Sequence, residues 1–215
     1  IVSGAAGMGK TRTTKDILTK KGWVMNPGKN YCKAKSTPVE VVKYLWYTRG
    51  KKDILVFDDN DDIVGNIRSL NILKGALDLD DGMVTFKIRK QDDPPPEYPE
   101  DGYFLYHGKF IWLTNISRAD LRSAGAGPIL SRGNAITINF TLEEVREIIK
   151  DNLKDILPLY DKVDPNHKNF VLEQTLRPEI LSQLKGGFSI RSFVQLCDLI
   201  WELPNDWEGQ VAYLE

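Results

Sequence analysis

The sequence has few cysteines, few histidines and no long apolar run, and each scarcity narrows the classes of protein it can belong to. Its two cysteines, Cys32 and Cys197, lie far apart in a chain of 215 residues, which favours free thiols in a reducing, cytoplasmic setting. The histidines, His107 and His167, are isolated from each other and from the cysteines, so we expect no zinc site. No stretch of about 18 apolar residues occurs, so we expect no membrane-spanning helix.

The sequence also has no excess of positive or negative charge. The 29 basic and 30 acidic residues leave a net charge of -1. The overall charge therefore neither favours nor opposes a nucleic-acid partner, and only a local basic patch could indicate one.

Strand and helix signals alternate along residues 1–139, which predicts an α/β fold with a mostly parallel sheet. Apolar runs predict strands that end at Ser3 and that span 23–25, 54–57, 83–89, 103–106, 110–113 and 135–138. Apolar residues at helical spacing predict helices over 10–21, 38–49 and 66–79. The polar segment 26–37 is predicted to be a loop, and the proline-rich segment 91–101 an exposed turn or a disordered tip.

The strand signals stop after Thr141. The sequence Thr141-Leu142-Glu143-Glu144 has the capping-box pattern, a threonine followed three residues later by an acid. Helices are predicted over 142–154, 170–184 and 189–202. We therefore expect an α/β core over 1–139, with a hairpin insertion at 83–107, and then a small helical lid with a C-terminal tail over 141–215.

A glycine-rich motif lies at the start of the chain. Gly4, Gly9, Lys10 and Thr11 match G-x-x-x-x-G-K-[ST], in which backbone N–H groups cradle phosphate, the lysine reaches the β- and γ-phosphates and the hydroxyl ligates Mg²⁺. A strand end precedes the motif and a helix follows, which disfavours a chance match in an ordinary turn. We predict ATP and Mg²⁺ as ligands. The residues expected to contact the nucleotide are Gly4, Ala5, Ala6, Gly7, Met8, Gly9, Lys10, Thr11 and Arg12.

This motif follows a strand of which only Ile1-Val2-Ser3 is present. We therefore expect the first strand to be cut short, with natural sequence before Ile1.

A second motif follows the apolar run 54–57. A buried parallel strand would deliver Asp58 to its carboxyl end beside the phosphate loop, where it could hold Mg²⁺ through water. Asp59 would then polarise the attacking water. The alternative is a solvated acidic loop. For Asp61 and Asp62 the better interpretation is a solvated or helix-capping acid.

Three further segments, in order after these motifs, resemble AAA+ ATPases, and the resemblance covers nearly the whole chain. The strand 110–115 ends in Asn115, similar to the family's sensor 1, which holds the attacking water. The sequence Ile129-Leu130-Ser131-Arg132-Gly133 is similar to the arginine-finger segment, and Gly187-Phe188-Ser189-Ile190-Arg191-Ser192-Phe193 looks like sensor 2. Taken alone, each has an ordinary explanation, a turn asparagine or a solvated arginine.

The resemblance implies a three-layer P-loop NTPase core, ATP hydrolysis and a homo-oligomeric ring, expected to be a hexamer. Arg132 would complete the neighbouring subunit's site, and Arg191 would point at the γ-phosphate from the lid. The family usually has Asp-Glu where this chain has Asp58-Asp59, a difference that bears on the rate of hydrolysis and not on nucleotide binding. The order of elements is also similar to AAA+ proteins of tailed bacteriophages, which implies the host cytoplasm.

In this family the loop at 26–37 grips the substrate. Here it contains Lys29, Tyr31 and Lys33, and an aromatic among lysines suits base stacking and phosphate contacts, so DNA is slightly favoured. A polypeptide in the pore would suit the same loop, and a solvated basic loop with no partner is the ordinary alternative.

Two other functions stay open. A P-loop kinase of small molecules shares the phosphate loop but leaves Asn115, Arg132 and Arg191 unexplained. A scaffold that uses ATP only to assemble is compatible with Asp59 in place of glutamate.

Overall fold

The strands are mostly short segments in which apolar residues are common. In the computed structural model they are β1 (Val2–Gly4), β2 (Tyr31–Lys33), β3 (Ile54–Asp58), β4 (Met83–Thr85), β5 (Tyr103–Leu105), β6 (Lys109–Thr114) and β7 (Ile136–Ile138). Five of them form a parallel sheet in the order β2-β3-β6-β1-β7. The other two, β4 and β5, pair antiparallel as a hairpin, and β4 is shorter than the predicted strand 83–89.

The structure describes residues 1–33, 35–152, 165–175, 177–184 and 187–214. Its α-helices are α1 (Lys10–Lys20), α2 (Pro38–Tyr47), α3 (Asp62–Gly65), α4 (Ile67–Ala76), α5 (Arg118–Leu121), α6 (Gly127–Ser131), α7 (Leu142–Asp151), α8 (Pro165–Gln174), α9 (Pro178–Leu181), α10 (Ile190–Glu202) and α11 (Trp207–Gln210). The predicted helices 142–154 and 170–184 extend in part over residues outside these ranges.

Strand β3 is apolar almost throughout because helices cover both faces of the sheet. Successive side chains of a strand point to opposite faces. Leu55 and Phe57 belong to the larger apolar cluster, which includes residues of α2 and α4. Ile54 and Val56 pack instead with Leu18 of α1. The sheet is therefore the middle of three layers, as the resemblance implies.

The chain groups into two units, each with its own apolar core. The first combines Ile1–Gly4 with Lys10–Ile138 and contains the sheet, and the second combines Ala5–Gly9 with Asn139–Glu215. In the second unit, Thr141 Oγ1 accepts the Glu144 N–H at 3.2 Å, and Glu144 Oε2 accepts the Thr141 N–H at 2.7 Å. The predicted capping box is thus confirmed.

Residues 23–25 do not form the predicted strand, and the predicted loop over 26–37 contains one strand, β2, at Tyr31–Lys33. The chain instead makes a closed turn, in which Asn30 Oδ1 accepts the Asn26 N–H at 2.7 Å and the Tyr31 N–H donates to the Asn26 carbonyl at 3.1 Å. Asparagine favours such turns because its short side chain hydrogen-bonds nearby backbone. The strand therefore begins only after the turn, at Tyr31.

The segment 91–101, predicted to be exposed or disordered, is held against the first unit. The ring of Tyr98 packs edge-on against Trp46 of α2 and Phe104 of β5, with centroids 5.3 and 6.0 Å apart. The Tyr98 hydroxyl donates to the carbonyl of Phe86. Prolines favour an extended, exposed segment, but the partly buried ring of Tyr98 and its aromatic contacts fix this one in place.

We expect Tyr98→Ala to lower the free energy of unfolding by about 2–3 kcal/mol, somewhat less than truncating a fully buried aromatic ring. Urea denaturation measures this, and limited proteolysis should show faster cleavage within 91–101. Glu100→Ala, at an exposed residue of the same segment, is the control and should match wild type. Equal stability and cleavage in the two variants would contradict the anchoring role.

Candidate nucleotide site

The phosphate loop uses glycine where a side chain would not fit. At Gly4, a Cβ would lie 2.5 Å from the carbonyl oxygen of Ile138 in β7. Gly7 and Gly9 have φ angles of 77° and 78°, in the left-handed region that favours glycine. The loop therefore takes a backbone path that side chains would block, as a phosphate cradle requires.

Lys10 begins α1 and is only 7% exposed, which is rare for lysine. Its Nζ donates to the carbonyl oxygen of Gly4 and to Asn115 Oδ1, each at 2.8 Å. A buried ammonium group needs such partners, since burying it without them costs several kcal/mol or more. The charge is therefore held between the ends of β1 and β6, where it could bind a phosphate group.

Asp58 ends β3 and is 1% exposed. Its Oδ1 accepts the Thr11 hydroxyl at 2.8 Å, and its Oδ2 accepts the Tyr31 hydroxyl at 2.7 Å. Burial, and then the bond to Asp58, raise the pKa of Tyr31, so the phenol is a donor at neutral pH. The hydroxyl and carboxylate oxygens of Thr11 and Asp58 are hard ligands of the kind that Mg²⁺ prefers.

Asp59 follows β3 with a left-handed backbone, at a φ angle of 52°. Its Oδ1 accepts a hydrogen bond from Asn115 Nδ2 at 3.0 Å, and its own N–H donates to the carbonyl of Leu113 at 3.1 Å. Lys10, Asn115 and Asp59 therefore form a continuous chain of hydrogen bonds. The structure brings together these three side chains, which the sequence interpretation assigned to one site.

Asp61 contributes to the same edge of the sheet, which the sequence interpretation missed. It was assigned as a solvated or capping acid, yet it makes no capping bond to α3. Its carboxylate accepts the Thr114 hydroxyl and, at 3.4 Å, the Asn115 N–H. Asp61 therefore holds the end of β6 against the turn after β3. The signal in the sequence that could have predicted this contact was a strand ending in Thr-Asn together with an acidic turn after the preceding buried strand.

In the second unit, the segment Ala5–Gly9 lies against the start of α10. A Cβ on Gly7 would lie 2.6 Å from Ser189 Oγ and 2.9 Å from the Cβ of Arg191. Ser189 caps α10 by accepting a backbone N–H of its first turn, and Met8 packs against the core of this unit. Arg191 is thus brought next to the phosphate loop with an exposed side chain.

Arg132 follows α6 and forms an ion pair within its own chain. Its Nη2 donates to Asp78 Oδ2 at 2.7 Å, and the arginine side chain is 26% exposed. The pKa of Asp78 lies below its usual range because the Asp80 N–H donates to it and Arg132 lies beside it. Arg132 is therefore engaged by Asp78 within its own chain.

The residues of the predicted substrate loop separate into two groups. Lys29 and Lys33 are exposed, as is Arg12 on α1. Tyr31 is corrected from a loop residue to a strand residue, and its hydroxyl is engaged by Asp58. The hydroxyl of Tyr31, the aromatic residue expected to contact substrate, therefore binds Asp58 at the end of β3.

Comparison with known proteins gives a relative by sequence and a neighbour by structure. The sequence is 33% identical over 219 aligned positions to a protein of Enterobacteria phage T4, an uncharacterized 36.7 kDa protein of the nrdC-mobD intergenic region. This similarity covers 97% of the present chain and 65% of the phage protein. The structure is similar to a variant of RuvB from Thermotoga maritima, with a TM-score of 0.52 and 18% identity, over 99% of this chain and 60% of that one. No protein-family model matches the sequence.

The similarity to RuvB shows the fold. A parallel five-stranded sheet with flanking helices, followed by C-terminal helices, is an α/β fold like that of P-loop NTPases. The fold class predicted from the sequence is confirmed. Among the helices that the structure describes, none combines the length and apolar character needed to cross a bilayer.

Proposed function

We propose that this chain is the ATP-hydrolysing part of a ring-forming AAA+ protein that remodels or moves a macromolecule. The observation that carries the proposal is the meeting of Lys10, Asp58, Asp59 and Asn115 at the carboxyl ends of three neighbouring strands, β1, β3 and β6. Ligands of open α/β sheets bind at this edge. A glycine-rich loop, a lysine and a hydroxyl-bound aspartate are the parts with which P-loop NTPases hold a nucleotide.

Each of these residues has a role in the proposed site. Lys10 would bind the β- and γ-phosphates and give up its bond to Asn115 Oδ1. Thr11 and Asp58 would hold Mg²⁺, which when bound would neutralise charge on the phosphates. Asp59 would polarise the attacking water, and Asn115, which donates to Asp59 at 3.0 Å, would fix the carboxylate relative to that water. Gly4, Gly7 and Gly9 allow the remaining loop residues to present their N–H groups.

We expect Asp59→Asn to lower ATP turnover about 100-fold, at the lower end for loss of a general base, because aspartate is a short side chain for this role. Phosphate release under saturating ATP measures the effect, and binding of ATP should persist. Asp62→Asn, in the same acidic segment but exposed and paired with Lys35, is the matched control and should retain turnover. Unchanged turnover in Asp59→Asn would remove Asp59 as the base.

The ring is proposed because Arg132 lies outside the cluster around Lys10. In a homo-oligomer, expected to be a hexamer, it would leave Asp78 and stabilise the charge on the phosphoryl group in the neighbouring site. Arg191, whose Cβ lies near Gly7, would contact the γ-phosphate bound by its own chain. Hydrolysis would then depend on assembly, and phosphate release would alter the contacts of both arginines.

DNA is the slightly preferred substrate, with an extended polypeptide as the alternative. The exposed residues Lys29 and Lys33 flank Tyr31 and could contact phosphates. With the Tyr31 hydroxyl on Asp58, phosphate contact is a better-supported role for this segment than base stacking. The similarity to a protein of phage T4 supports a phage-encoded protein that acts in the host cytoplasm.

ATPase activity against protein concentration tests the proposal, with single-stranded DNA, double-stranded DNA or unfolded protein added in parallel. A cooperative rise of specific activity with concentration is expected for a ring, and stimulation by one polymer would identify the substrate. Specific activity that does not depend on protein concentration, together with phosphoryl transfer to a small acceptor, would contradict the ring and identify a kinase instead.

A second candidate is a scaffold that binds ATP in order to assemble. The observation that favours it is that Asp59, which stands where the family usually has glutamate, has a short side chain. Its carboxylate already accepts a hydrogen bond from Asn115. ATP-dependent oligomers without phosphate release would establish this function and exclude the motor.

A further inference from the structure

Tyr31 has a hydroxyl that the motifs of the proposed site do not include. It lies in β2, and its hydroxyl donates to Asp58 Oδ2 at 2.7 Å. Its ring packs on the α1 face of the sheet, in the apolar cluster that contains Leu18 and Val56. Packing therefore holds the ring independently of the hydrogen bond, and the hydroxyl is presented to Asp58 in a fixed position.

Asp58 receives one hydroxyl on each carboxylate oxygen, from Thr11 at 2.8 Å on Oδ1 and from Tyr31 on Oδ2. A carboxylate has about four lone-pair sites, so these two donors leave room for a metal-bound water. Thr11 is itself a proposed metal ligand and would turn its oxygen lone pair to the ion. Tyr31, by contrast, is not a proposed metal ligand, so its hydrogen bond would serve to orient the Asp58 carboxylate.

We propose that Tyr31 is a positioning residue whose hydroxyl orients Asp58 for Mg²⁺ bound with the nucleotide. The inference rests on the proposed ATP–Mg²⁺ site and adds to it a residue from a strand that carries neither nucleotide motif. Partners that orient a metal ligand without touching the metal typically change metal affinity about 10–100-fold when removed.

Tyr31→Phe removes one oxygen and keeps the ring. Binding of the fluorescent analogue mant-ATP is measured in EDTA and then across a titration with MgCl₂. We expect the metal-free affinity to be retained and the Mg²⁺ concentration at half-effect to rise about 10–100-fold. A variant that binds mant-ATP with the wild-type Mg²⁺ requirement would overturn this inference and leave the nucleotide site intact. Wild-type protein that fails to bind mant-ATP at all would overturn the proposed function instead.

Two comparisons separate orientation from a general loss of stability. Tyr106→Phe makes the same change at a buried tyrosine whose hydroxyl donates to the Lys109 carbonyl at 3.1 Å, and it should keep the wild-type Mg²⁺ requirement. In an Asp58→Asn background, Tyr31→Phe should produce no further shift, because the two residues act as one unit. An equal shift in Tyr106→Phe, or additive shifts in the double variant, would contradict the inference.

Discussion

Replacing Arg132 with alanine is expected to lower ATP turnover about 10³–10⁵-fold, the range seen when an arginine acting on the transferred phosphoryl group is lost. ATP affinity should stay near that of wild type, because Arg132 contacts Asp78 and lies outside the phosphate loop. Phosphate release and mant-ATP binding, measured on the same preparation, give the two quantities. Full activity in Arg132→Ala would remove the proposed role in trans.

The ion pair supplies the control for this experiment. Asp78→Asn removes the charge that holds Arg132 within its own chain but keeps the guanidinium. The pair is partly exposed and screened by solvent, so its loss should change the free energy of unfolding little. Turnover in Asp78→Asn should therefore remain, whereas a loss as large as that of Arg132→Ala would assign the arginine a structural role.

Lys10→Met is the second change with a large expected effect, a fall in turnover of about 10³-fold or more together with weaker nucleotide binding. The lysine is 7% exposed and its ammonium group bridges the Gly4 carbonyl and Asn115, so methionine fills the space without supplying the charge. Thermal unfolding should show a folded variant. Lys15→Met, at an exposed lysine of the same helix, is the matched control and should behave as wild type.

Mixing the two inactive variants tests the ring directly. A mixed oligomer contains interfaces in which an intact Lys10 site from one subunit meets an intact Arg132 from the next. We expect partial recovery of turnover in the mixture if Arg132 acts on the neighbouring site. Recovery would be absent if both residues served the same subunit, since no chain in the mixture carries both.

Much of the proposed site could be predicted because its parts follow strands in the order in which they occur along the chain. The glycines of the phosphate loop, Asp58 after the apolar run 54–57 and Asn115 after the run 110–113 are all local signals. A parallel sheet brings strand ends to one edge, so these signals also predict proximity. The chain of hydrogen bonds from Lys10 through Asn115 to Asp59 follows that logic.

What could not be predicted depends on contacts between side chains that are far apart in the sequence. Tyr31 was assigned to a loop because residues 26–37 are polar and basic, and only the pairing of β2 with β3 gives it access to Asp58. Asp61 binds Thr114, a contact of residues 53 positions apart. Tyr98 anchors a proline-rich segment to α2 in the same way. Each is a tertiary contact without a periodic signal in the sequence.

The left-handed backbone at Asp59 restricts which acid can occupy this position. At a φ angle of 52°, aspartate is favoured over glutamate because its short polar side chain can hydrogen-bond locally. A glutamate would bring its carboxylate nearer to a bound phosphate only by straining the turn between β3 and α3. An Asp59→Glu exchange is therefore expected to require a change in that turn as well.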